Sequence, residues 1–92
     1  MIVRVLGEGQ FRLPGALHDA VNALDDAVLR AVEAGDEGSF GRALAALVAF
    51  IRAHGVPVPP AELVGSDAIV PAPDSRLHEA RSLLAGDGLI PG

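Results

Sequence analysis

A chain of 92 residues makes a single domain, 1–92, with a thin margin of stability, because a chain this short buries only about 60–65% of its unfolded surface. A formal net charge of −5 opposes nonspecific binding to nucleic acid or to anionic lipid. The sequence has no Cys, which excludes disulfides, zinc–thiolate sites and thiol chemistry.

Half the residues are hydrophobic, but 16 of them are Ala, so the core falls to Leu, Val, Ile and three Phe. With no Trp or Tyr, aromatic anchors for a partner are limited to those three Phe. All seven basic residues are Arg. The plain cause is codon bias in a GC-rich genome; the functional alternative is Arg chosen for bidentate carboxylate pairs. The longest apolar run in a helical stretch is nine residues, Ala43 to Ile51, against about 20 for a membrane span. No leader pattern precedes the first strand. The expectation is a cytoplasmic protein that does not insert into a bilayer, recruited to its inner face only through a partner.

In chain order, Ile2 to Leu6 reads as a strand from its β-branched residues. Gly7-Glu8-Gly9 supplies the positive φ of a tight turn, and Gln10 to Leu13 returns with Phe11 and Leu13 on one face. A lone hairpin is marginal in water, so it must pack on something or gain a strand. Pro14-Gly15 ends it. A first helix follows to about Ala34, with Leu17, Val21, Leu24, Val28 and Val32 as its apolar stripe, and Gly35 stops it. Asp36 caps a second helix, weakened at its start by Gly38 and Gly41. Its core stripe is Phe40, Leu44, Leu47 and Ile51, flanked by Val48 and Phe50. His54 lies in the last turn and Gly55 ends it. The short Gly35-Asp36 link makes the two helices antiparallel neighbours. Val56 to Pro60 is extended, Pro60 to Val64 allows one helical turn, and Ala68-Ile69-Val70 is a third strand beside the hairpin. Asp74 or Ser75 caps a third helix to about Leu84, with Leu77, Ala80 and Leu84 inward. Leu89 and Ile90 dock back on the core. The fold class is therefore α+β: an N-terminal β-hairpin with a short third strand, packed on an antiparallel helical hairpin and a shorter C-terminal helix.

Catalytic patterns are scarce. His18, His54 and His78 show no HxxxH or HExxH spacing, so no metal site is expected. Gly7-Glu8-Gly9 lacks the Walker Lys, and no Gly-x-Ser-x-Gly elbow exists. Asp25 and Asp26 are adjacent on a helix and diverge by about 100°, which disfavours paired acid–base work on one substrate atom. No cofactor is expected, and a small enzyme of unknown reaction is the weakest reading.

Two helix faces are more suggestive. On the first helix, Asp19, Asn22, Asp26 and Glu33 form a stripe opposite the Leu17/Val28 core face; Asp25 lies at the edge of that core face, and Leu29 points to the same side as Asn22 and Asp25. The plain reading is a solvated face with Asp26–Arg30 as an ordinary i,i+4 pair. The functional reading is an acidic docking strip, centred on Leu29, for an Arg/Lys-rich helix of a partner. On the second helix, Gly41, Ala45, Ala49 and Ala53 recur every four residues. Either Ala simply fills exposed positions of a good helix, or this ridge lets a second copy of the chain approach closely.

Several stretches also carry a likeness. Met1 to Gln10 and Asn22 to Val28 are the strongest, joined by Glu62-Leu63-Val64, Ser66-Asp67, Val70-Pro71 and the closing Gly88-Leu89-Ile90-Pro91-Gly92. In order and spacing they resemble the PspA-associated protein family, small proteins encoded beside phage shock protein A. Pro14-Gly15, Gly38 and Gly41 depart from the pattern, standing where better helix formers are expected. The resemblance implies a noncatalytic accessory or regulatory role in the envelope-stress (phage shock) response. The implied partner is a PspA-type coiled-coil protein. Asp19, Asn22, Asp25, Asp26, Leu29 and Glu33 then become the contact candidates, with a homodimer through the small-residue ridge as the alternative.

Overall fold

The computed structural model describes residues 1–62 and 64–81. Strands β1 (Ile2–Val5) and β2 (Gly9–Arg12) form the hairpin. At its turn Gly7 and Gly9 have φ of 85° and 106°, the left-handed region that penalises any Cβ. A 3-10 turn at Gly15–Leu17 leads into α1 (His18–Ala34), followed by α2 (Glu37–His54). The first helix thus starts a few residues later than its apolar periodicity suggests, because Pro14 and Gly15 are spent on the tighter turn. Strand β3 (Val56–Pro57), strand β4 (Ala68–Val70) and α3, described over Leu77–Arg81, complete the order.

The four strands lie in the order β3-β2-β1-β4, with β4 parallel to β1 and the other pairs antiparallel. The third strand expected at Ala68-Ile69-Val70 is there. The fourth, β3, went unread: Pro57 has no N–H to give a ladder, and such a residue belongs only at an edge, which is where it sits.

Alternation divides the sheet into two faces. Val3, Val5, Phe11 and Leu13 are buried and join Val21, Val28, Phe40, Leu44, Leu47, Ile51 and Val70 in one core beneath the helix pair. Both helical stripes therefore pack as their spacing indicates. Leu17 is only half-buried and Leu24 flanks the core. Leu77 and Ala80 of α3 are buried; Leu84, Leu89 and Ile90 lie outside the described residues.

Helix termini follow their local chemistry. Gly35 closes α1 at φ 68°. The Asp36 carboxylate accepts from the Ser39 N–H at 3.1 Å and from its hydroxyl at 3.0 Å, which offsets the two early glycines of α2 by satisfying an orphan donor. Gly55 ends α2, but not as a left-handed cap: its φ is −86°. Its lack of a side chain serves proximity instead. A Cβ there would stand 2.6 Å from the Ile51 carbonyl oxygen and 3.0 Å from Phe11 Cβ. Arg52, one turn earlier, grips Glu8 of the hairpin turn with both Nε (2.7 Å to Oε1) and Nη2, the bidentate pairing for which Arg is suited.

Candidate interaction surfaces

Helix α1 presents its predicted acidic residues unevenly. Asp19 and Glu33 are exposed, and Asn22, Asp26 and Leu29 are half-buried. Asp19, in the first turn, also suits the positive end of the helix dipole. Asp25 does not belong with them. It is fully buried, the one charged residue in the described interior, and no buried side-chain nitrogen or oxygen among the described residues lacks a hydrogen-bond partner. Its expected place on a docking strip is therefore corrected: its carboxylate is part of the inside of the molecule and no partner reaches it. The remaining strip is Asp19, Asn22, Asp26, Leu29 and Glu33, with Leu29 half-covered rather than standing free at its centre.

The second candidate face is laid out as its spacing indicates. Gly41, Ala45, Ala49 and Ala53 are all exposed along α2, and a Cβ built on Gly41 meets nothing within 4 Å. At the end of this helix the Phe50 and His54 rings lie 4.4 Å apart between centroids.

The Glu8 and Asp36 carboxylates are perturbed. Glu8 is held below the ordinary carboxylate range, first by its hydrogen bond from Arg52, which is raised in turn. Asp36 is lowered chiefly by the Ser39 backbone N–H it accepts from at the α2 terminus. Both shifts stem from structural ties rather than from a convergent acid–base pair.

A concave feature lies on the opposite side of the molecule. Residues 58–62 and 64–66 lie over the outer face of the sheet between the β3 edge and the β4 edge. Gln10 holds this strap through Nε2, which donates to the Val64 carbonyl at 3.0 Å and to Ser66 Oγ at 2.8 Å. Arg12 pairs with Glu62 at 3.2 Å, and the Val58 N–H donates to the Gln10 carbonyl at 2.9 Å. Between strap and sheet is a cleft of about 280 Å³. Neither His18 nor His54 lines it. Among the described residues no three His, Asp or Glu side chains gather as metal ligands, and no helix is long and apolar enough to cross a membrane. The sequence reading missed this cleft. Strand alternation alone places Arg4, Gln10 and Arg12 on the outer face, but nothing local announces that a distant loop will roof them.

The family model for PspA-associated proteins matches residues 1–92, the whole chain. This chain is a member of the PspA-associated protein family. No curated protein and no solved structure is significantly similar to it. The description of the PspA-associated family names an association and no reaction.

Proposed function

We propose that the protein is a noncatalytic accessory of the phage shock response that holds a PspA-type coiled-coil protein against the acidic face of α1. Membership in the PspA-associated family carries the reading. The local support is a helix face with Asp19, Asp26 and Glu33 turned to solvent or half-open to it. Long charge-rich coils present basic stripes to which such a face is complementary, and complementarity of this kind sets encounter rate and orientation. The protein then works in the cytoplasm and meets the membrane only through its partner.

The test is co-purification with the cognate PspA-type protein. A variant carrying Asp19→Arg, Asp26→Arg and Glu33→Arg loses the partner while keeping its circular dichroism spectrum, and capture by the unmodified chain weakens as salt rises. Undiminished capture by the triple variant sinks the docking strip. Asp25 has no place in this design, since an Arg there disturbs the interior.

The exposed Gly41, Ala45, Ala49 and Ala53 ridge supports a second reading, a homodimer joined through α2. Sedimentation of a strict monomer at high micromolar concentration argues against it.

A further inference from the structure

The cleft beneath the strap carries a site that the α1 reading does not use. It is lined by Val58, Pro60 and Val64 and by the polar residues Arg4, Gln10 and Glu62. Arg4 stands opposite Gln10 in the β1–β2 register, on the face turned away from the core because Val3 and Val5 on either side are fully buried. The polar neighbours are already engaged. Gln10 is spent on the strap, and Glu62 is paired with Arg12. The Arg4 guanidinium makes no hydrogen bond or ion pair among the described residues. Arg12 engages Glu62 from beside the cleft, which leaves Arg4 as the lining residue with charge to offer a ligand.

The geometry points to a binding site for a single carboxylate on a short apolar stem, either the side chain of a glutamate on another protein or a free short-chain acid. One guanidinium pairs bidentately with one carboxylate. A phosphate dianion calls for more positive charge than Arg4 provides beside Glu62. The apolar walls suit methylene groups, not a second polar head. The cleft of about 280 Å³ has room for a glutamate side chain or a four-carbon acid. The site lies on the outer sheet face, whereas α1 packs on the inner one, so the two surfaces can be occupied together.

The experiment is a titration of the ¹⁵N-labelled full chain, followed by amide chemical shifts at constant ionic strength. The probes are sodium butyrate, the blocked peptide acetyl-Ala-Glu-Ala-amide, and butyramide as the neutral isostere. Butyrate or the peptide is expected to give saturable shifts at Gly9, the Gln10 side-chain amide, Val58 and Glu62. Butyramide binds at least tenfold more weakly, and Arg4→Gln weakens the carboxylate by a similar factor. Tighter binding of the peptide assigns the site to a protein side chain, and tighter binding of butyrate assigns it to a free acid; both uphold the carboxylate cleft. Shifts that never saturate, that scatter over other arginines, or that are equal for butyrate and butyramide overturn it. That last comparison uses the unmodified chain, so it stands even where Arg4→Gln perturbs folding. The outcome is independent of capture of a PspA-type partner by α1.

Discussion

Two adjacent aspartates on one helix show how far a single position can depart from its neighbour. Asp26 is half-open to solvent and Asp25 is sealed. A buried carboxylate is tolerated only when it is hydrogen-bonded, and a cation in its place is left uncompensated. Asp25→Arg is therefore expected to cost upwards of about 3 kcal/mol, enough to unfold a domain of marginal stability, while Asp26→Arg stays within about 0.5 kcal/mol of the parent. Urea denaturation of the two variants checks the contrast, and equal midpoints would contradict the burial of Asp25. Two glycines make a second pair. Gly41 lies inside α2 with open space around it, so Gly41→Ala gains about 0.5–1 kcal/mol of helix propensity. Gly55→Ala drives a methyl into the Ile51 carbonyl and Phe11 and loses about 2 kcal/mol through forced backbone movement. The same denaturation series reads both. A sequence shows four glycines near this helix and their local turn chemistry; it does not show that one of them touches a strand some forty residues earlier in the chain.

Among the elements, the helices were the most legible. The stripes Val21-Val28-Val32 and Phe40-Leu44-Leu47-Ile51 are buried, because a 3.6-residue period writes one face of a helix directly into the order of its residues. Gly35 and Asp36 punctuate them where local conformational and hydrogen-bonding preferences say they should. The ties between elements are electrostatic in part, and they predict an acid response. Glu8 and Asp36 both have lowered values in the folded state. Each contributes stability that is fully present above the ordinary carboxylate range, about pH 4, and that drains away as pH falls through the lowered folded-state value. Thermal midpoints are thus expected to fall as pH drops below about 4. Glu8→Gln should make that decline shallower. Asp36→Asn should do so too while remaining close to the parent at neutral pH, since Asn is also a good cap. An acid limb unchanged from the parent in both variants would show that other carboxylates govern it.

At the scale of the whole molecule, the strap makes the outer sheet face different from the inner one. Its attachments run chiefly to β2, through Gln10 and Arg12, and leave the helix-covered core untouched. Gln10→Ala should therefore speed amide exchange across residues 58–66 while core amides of β1 and α2 stay protected; uniform acceleration everywhere would mean that the strap supports the whole fold. What the sequence determined by itself is the hairpin, the helices and the strand at 68–70, the apolar stripes of the two long helices, the α+β class and family membership, because periodicity, turn residues and caps are local properties of neighbouring side chains. Tertiary structure alone decided that Asp25 is inside, that Val56–Pro57 completes a four-stranded sheet, that Gly55 must stay bare, and that Arg4 lines a roofed cleft. Each of these depends on which distant segment arrives beside a given residue, and that is settled only when the chain closes on itself.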